Sequence, residues 1–206
     1  DTISYLSELK EYGDKVLLVY GGGSIKKNGI YDTAMQLLKD AALTVFELSG
    51  VEPNPRIETV RKGVTICKEE GIDMVLAIGG GSTIDCSKVI AAGAKYDGDA
   101  WDLVLDGSKV KAALPIFDVL TLSATGTEMD PFAVISDMSK NEKWGTGSPY
   151  MVPTMSILNP EYTFSVSKKQ TAAGTADMMS HTMENYFSME NACLLYTSPS
   201  PRDYAA

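Results

Sequence analysis

Two stretches decide the fold: Lys15-Val-Leu-Leu-Val-Tyr20-Gly-Gly-Gly-Ser24 and Asp73-Met-Val-Leu-Ala-Ile78-Gly-Gly-Gly-Ser82. Each is a short apolar run, rich in β-branched residues, that ends in three glycines and a serine. A run of that length with no polar alternation reads as a strand buried on both faces, and the glycines read as a tight turn into a helix. The two copies lie 58 residues apart. Between them, Ile30, Met35, Leu37, Leu38 and Ala41 recur near helical spacing, and Leu43 to Leu48 returns to strand character before a loop from Ser49 to Pro55. Arg56 to Glu70 is again helical, with Ile57, Val60, Val64 and Cys67 on one face, and Gly71 stands at the stop position. After the second glycine turn, Thr83 to Ala94 reads as a helix with Asp85 in its first turn, where a carboxylate suits the positive helix end.

Strands that alternate with helices, and are apolar throughout, belong to a parallel sheet covered on both faces. The expected fold class is therefore α/β, a Rossmann-like cofactor domain. Beyond Lys95 the pattern loosens. Pro115 opens an apolar stretch to Leu122, followed by the hydroxyl-rich loop Ser123 to Pro131. Ala133–Asp137 and Lys143–Gly147 read as a small hairpin across Met138–Glu142, and Met155–Leu158 as one more strand. From Ser167 the period becomes helical, most clearly over Gln170–Phe187. The expected division is 1–164 for the cofactor domain and 165–193 for the start of an all-helical metal-binding domain, truncated. Residues 194–206, with two prolines and no periodicity, are expected to be a non-native tail.

Composition excludes several classes. The 206 residues carry 18 Lys and Arg against 27 Asp and Glu, a net charge of −9, with no basic run. Nucleic-acid grooves are entered with clustered positive charge, so no nucleic-acid partner is expected. With 44% hydrophobic and 22% charged residues the chain has material for a real core. No apolar run approaches the roughly 20 residues of a spanning helix, so no membrane partner is expected. Three isolated cysteines, Cys67, Cys86 and Cys193, suit a reducing cytoplasm better than a disulfide framework. The start lacks an initiator Met and looks cut.

Glycines after a strand let backbone N–H groups approach a phosphate at a helix N-terminus, and a tight strand-to-helix turn is the plainer reading of each cluster alone. Neither copy is a P-loop, which needs Lys and then Ser or Thr directly after its last glycine, and neither completes G-x-G-x-x-G. A third candidate, Thr121-Leu-Ser-Ala-Thr125-Gly-Thr-Glu128, stacks hydroxyls directly after a strand, where ligands of open α/β sheets collect. The fourth is Gly174-Thr-Ala-Asp177-Met-Met-Ser-His181-Thr-Met-Glu184. A helix puts Asp177 and His181, i and i+4, on one face, where they form a simple hydrogen-bonded pair or grip one cation. Catalytic Zn²⁺ or Fe²⁺ takes three or more protein ligands, and His181 is the single histidine.

Taken together and in this order, these motifs resemble the group III, iron-containing alcohol dehydrogenases, in particular the NADPH-dependent butanol dehydrogenase and aldehyde reductase branch. The likeness covers about residues 1–190. It rests on Tyr20-Gly-Gly-Gly-Ser24-Ile-Lys-Lys-Asn-Gly29, Glu52-Pro-Asn-Pro55, Gly79-Gly-Gly-Ser-Thr-Ile-Asp85, Thr121 to Glu128, Lys143, and Gly174 to Glu184. The resemblance implies that Gly22, Gly23, Ser24 and Asn54 belong to the nucleotide site. Gly80, Gly81 and Ser82 would receive the pyrophosphate, with Asp85 beside them. Thr121 and Thr125 would line the cleft, and Lys143 would hydrogen-bond the ribose near the nicotinamide. Asp177 and His181 would be two of four ligands to Fe²⁺ or Zn²⁺, the other two being histidines that this sequence lacks. The absence of an acidic residue from Gly21 to Gly23 leaves room for a 2′-phosphate, so NADP is expected, with NAD an alternative.

The reaction implied is hydride transfer between NADP(H) and a primary alcohol or aldehyde such as butanol or butyraldehyde, in a cytoplasmic enzyme and possible homodimer. The 206-residue chain itself is expected to bind metal weakly and to be inactive. Glycerol dehydrogenase-like and dehydroquinate synthase-like enzymes share the architecture, and a non-catalytic nucleotide-binding module is a further alternative. The Tyr-Gly-Gly-Gly-Ser and Glu-Pro-Asn-Pro features favour the butanol branch.

Overall fold

In the computed structural model of the protein, residues 2–187 are described. The first quoted stretch forms β1 (Lys15–Tyr20), with Val16 to Tyr20 all buried. Its side chains serve two cores. Leu17 and Val19 point to one face of the sheet, while Val16, Leu18 and Tyr20 point to the other. Both faces are apolar, which is why the strand shows no polar alternation.

After β1 come the single turn α1 (Ser24–Lys27), α2 (Ile30–Asp40) and β2 (Thr44–Leu48). Next are α3 (Ile57–Glu70), β3 (Met74–Gly79), α4 (Gly81–Ala94), α5 (Ala100–Leu105) and β4 (Ile116–Leu120). A hairpin of β5 (Phe132–Asp137) and β6 (Glu142–Gly147) precedes β7 (Met155–Ile157) and α6 (Lys168–Phe187). Five strands form one parallel sheet in the order β2-β1-β3-β4-β7. The chain leaves β1 toward β2 on one side and returns as β3 on the other. The strand order therefore reverses between β1 and β3, and the crevice outside the carboxyl ends of strands at such a reversal is where ligands of open α/β sheets bind. Both glycine turns leave the sheet at that edge.

The α/β reading and the principal strands agree with the structure, and three local differences have physical causes. Thr2–Tyr12, ahead of the first stretch read as an element, is a 3₁₀ helix that buries Ile3, Leu6 and Leu9, the spacing of three that such a helix aligns on one side. α5 is an unforeseen short helix, started by Asp99, whose side chain accepts from the Trp101 N–H. α4 begins at Gly81 rather than Thr83, so its first turn holds no acidic residue. The chain divides into two compact units, Asp1–Ser165 and Val166–Ala206; the described part of the second is α6 with its short lead-in. The expectation of a non-native tail at 194–206, and the last six residues of the expected 165–193 region, lie outside the described residues. Among the described residues no helix is long and apolar enough to cross a membrane.

Candidate nucleotide site and helix-borne donor pair

At the first turn, Gly23 has φ +97, a conformation that favours glycine. A Cβ on Gly22 or Gly23 would meet nothing within 4 Å, so this turn faces open space. It borders a depression of about 320 Å³ lined by Tyr20, Gly21, Gly22, Gly23, Lys26, Ser49 and Gly50. Beside it, Glu47 near the end of β2 is held by two phenols, accepting from the Tyr20 hydroxyl at 2.7 Å and from that of Tyr31 at 3.0 Å. Lys26 Nζ lies over the same rings, 4.3 Å from the Tyr31 centroid.

The second turn is built differently. A Cβ on Gly79 would come within 2.5 Å of Thr83 Oγ1, on Gly80 within 3.1 Å of Leu122 Cβ, and on Gly81 within 2.9 Å of Thr125 Oγ1. Gly80 and Gly81 are thus small because the third loop lies on the start of α4. The Thr121 N–H donates to the Gly79 carbonyl at 2.9 Å and fixes that loop to the end of β3. Thr125 is exposed and Thr121 half-buried.

Ser82, Asn54 and Lys143 come together although they belong to three separate segments. The Asn54 N–H donates to Ser82 Oγ at 3.3 Å, and Lys143 Nζ donates to Asn54 Oδ1 at 2.7 Å. Asn54 has φ +57, a left-handed conformation that Asn tolerates better than most residues. Gly80, Gly81, Ser82, Asn54, Thr121, Thr125 and Lys143 therefore stand around the C-terminal ends of β3 and β4.

Asp85 stands deeper in α4 than the first-turn place expected of it. It is the fifth residue of α4, one turn beyond the helix start, and is half-buried. Its Oδ1 accepts from Thr127 Oγ1 at 2.6 Å and its Oδ2 from the Val134 N–H at 2.9 Å. Burial raises its pKa above the ordinary carboxylate value, opposed by these two bonds. Both oxygens are committed to the third loop and to β5.

Two buried groups escaped the reading of the sequence. Lys88 on α4 is wholly buried, and Asp118 in the middle of β4 is also wholly buried. The available signal was an ionisable residue inside an otherwise apolar segment, which identifies an oddity without saying what it pairs with.

On α6, Asp177 and His181 do share one face, with His181 Nε2 3.7 Å from Asp177 Oδ1 and both side chains partly exposed. Carboxylate and imidazole suit Fe²⁺ or Zn²⁺ by type. Among the described residues, however, no group of three or more His, Cys, Asp or Glu side chains is arranged to hold a metal ion. The pair supplies two donors, short of the three a catalytic site uses.

The sequence profile of the iron-containing alcohol dehydrogenases matches residues 2–160. The chain is 65% identical over 181 residues to NADH-dependent butanol dehydrogenase A of Clostridium acetobutylicum, covering 88% of this chain and 46% of that protein. It is 40% identical over 187 residues to the NADPH-dependent aldehyde reductase YqhD of Escherichia coli, covering 89% of this chain and 48% of the relative. The solved structure of NADH-dependent butanol dehydrogenase A from Thermotoga maritima superposes with a TM-score of 0.88 at 47% identity, over 90% of this chain and 47% of that one. The chain spans about half the length of these relatives.

Proposed function

The chain belongs to the iron-containing alcohol dehydrogenase family, and from that premise we propose that it forms the nucleotide-binding part of an oxidoreductase that moves hydride between NAD(P)(H) and a primary alcohol or aldehyde such as butanol or butyraldehyde. The observation that carries this reading is the pair of glycine turns on adjacent strands at the point where the strand order reverses, with Asn54, Ser82 and Lys143 hydrogen-bonded beside the second. Phosphate oxygens would be received by backbone N–H groups at the start of α4 and by the Ser82 hydroxyl. Lys143, fixed by Asn54, would offer its remaining N–H donors to a ribose hydroxyl. Little acid–base chemistry is then asked of this unit, whose task is to hold the nicotinamide in line with the reacting carbon.

Asp177 and His181 would supply two of the donors to a divalent cation, whose chemistry when bound is Lewis-acid polarisation of the substrate oxygen. Two donors do not complete such a seat.

The nucleotide proposed is NADP(H). The relatives of highest identity quoted above carry NADH in their names, whereas this chain has an open first turn, the Lys26 ammonium beside it, and a Glu47 carboxylate already taken up by two tyrosines. An acidic residue near the end of β2 ordinarily favours a free ribose 2′-hydroxyl. Calorimetric titration of the chain should give tighter binding of NADPH than of NADH, with both weakened in Lys143→Ala. Equal or reversed affinities would overturn the NADP(H) preference, and no binding of either would overturn the nucleotide reading. Hydride transfer is tested in a chimera in which residues 2–187 replace the matching half of the Clostridium butanol dehydrogenase. It should oxidise NADPH when butyraldehyde is added.

A further inference from the structure

Lys88 presents an unusual arrangement for a lysine. Its side chain is completely buried, and its ammonium lies within hydrogen-bond distance of four acceptors: Thr127 Oγ1 at 2.9 Å, the Asp130 carbonyl at 2.7 Å, Asp130 Oδ1 at 2.9 Å and the Phe132 carbonyl at 2.8 Å. All four belong to the third loop or to the first residue of β5. Asp85, one turn earlier on α4, binds the same region through Thr127 Oγ1 and the Val134 N–H. The Thr127 hydroxyl joins the two, donating to Asp85 and accepting from Lys88, and Asp130 Oδ1 also accepts from the Phe132 N–H at 2.8 Å. One loop thus contributes its own carbonyls, a hydroxyl and a carboxylate to two ionisable side chains on a single helix.

Such a cluster is costly to leave half-satisfied and rigid when complete. Elsewhere the loop is held sparsely: between Thr121 and Met129 its backbone–backbone bonds are those of Thr121 to Gly79 and of Met129 to Gly126, the Glu128 carbonyl lies 2.8 Å from Ser156 Oγ, and Gly126 sits at φ +75. Thr125 projects from this segment, against the place where a Gly81 side chain would be.

We propose that Asp85 and Lys88 are positioning residues that clamp the third loop from below, through Thr127 and Asp130, and so set the nucleotide affinity of the face that carries Thr121 and Thr125. The role rests on the nucleotide reading above. It assigns to α4 two tasks from two sides: its start meets phosphate, and its second turn holds the loop that closes over the same edge of the sheet.

The test uses hydrogen exchange and NADPH titration on the 206-residue chain. In Lys88→Met, the Met129 and Val134 amides should exchange at least tenfold faster, while the β3 amides keep their protection. The dissociation constant for NADPH should rise at least fivefold. If Lys88→Met fails to fold, Thr127→Val, which removes only the bridging hydroxyl, is read in the same way. Unchanged exchange in the third loop of a folded variant overturns the clamp. Faster exchange with unchanged NADPH affinity overturns the positioning role. Failure of the parent chain to bind NADPH overturns the nucleotide reading and that role with it, whereas parent binding with insensitive variants overturns the positioning role alone.

Discussion

Asp118 shows how much one residue can conceal in a sequence. In Ile116-Phe-Asp-Val-Leu120 it interrupts an apolar strand, and the structure buries it completely. Its Oδ1 has no hydrogen-bond partner among the described residues. Ser156 Oγ lies 2.6 Å from Asp118 Oδ2 and 2.8 Å from the Glu128 carbonyl. A hydroxyl has one hydrogen and cannot donate to both. If Asp118 is protonated, its own O–H donates to Ser156 Oγ and the serine hydrogen is left for Glu128. Burial pushes the Asp118 carboxyl up to about 7, reinforced by the Glu128 charge and opposed by the Ser156 bond and the Lys88 charge. The folded state therefore binds the proton more tightly than the unfolded chain, so stability is greatest below the ordinary carboxylate value and falls as pH rises to about 7. Urea denaturation across pH 4 to 8 should show this fall, on the order of a few kcal/mol at about 1.4 kcal/mol per pK unit. Asp118→Asn, whose amide N–H can donate to Ser156, should flatten that part of the profile and exceed the parent in stability at pH 8. The cysteines give a second residue-level prediction. Cys67 and Cys86 are free and buried, and burial pushes the Cys67 thiol up to about 12 and raises Cys86 further. Thiolates are the reactive form, so peptide mapping after treatment with a disulfide reagent should find neither modified in the native protein and both modified in urea.

Among the elements, those with a strict pattern were legible. β1, β3 and the glycine turns follow from unbroken apolar runs and their abrupt ends, and α3 from its stripe and from Gly71, which takes φ +63 at the helix end. Asn54, Ser82 and Lys143 were singled out only by the family resemblance, and the structure joins them by hydrogen bonds. Lys88 and Asp118 were not legible, because what they pair with lies about 40 residues away and only the folded chain brings it near. A glycine can hide a contact in the same way. Gly63 reads as an ordinary weak point of α3 costing about 1 kcal/mol in helix propensity. In the structure α3 packs so closely on α4 that a Cβ there would meet Ile90 Cδ1 at 2.4 Å and Leu48 Cδ2 at 3.0 Å. Gly63→Ala should therefore destabilise the fold by about 1–3 kcal/mol instead of stabilising it. Adding Ile90→Val, which deletes Cδ1, should recover part of the loss in the same denaturation experiment.

At the scale of the whole molecule, the two units differ in what holds them. Residues 2–165 contain the five-stranded sheet and both large cores. α6 is a 20-residue helix on which Met178, Met179, Met183, Tyr186 and Phe187 are all exposed, and a helix with little burial is marginal in water. Nucleotide binding and metal binding should then separate cleanly. The proposed nucleotide residues all lie in the first unit and include no metal donor, so chelator should leave NADPH affinity unchanged. Asp177 and His181 are two donors on a helix surface, each lost metal ligand is a large fraction of the binding free energy, and holding a marginal helix in order around the ion adds a cost. Zn²⁺ titrated into the chain should bind orders of magnitude more weakly than a complete three-ligand site, and Asp177→Ala should abolish what binding there is. With the cation so weakly held, NADPH added with butyraldehyde should remain unoxidised. Sustained turnover by the 206-residue chain would mean that the substrate oxygen is polarised without a complete donor set on α6, and the assignment of Asp177 and His181 would have to be abandoned.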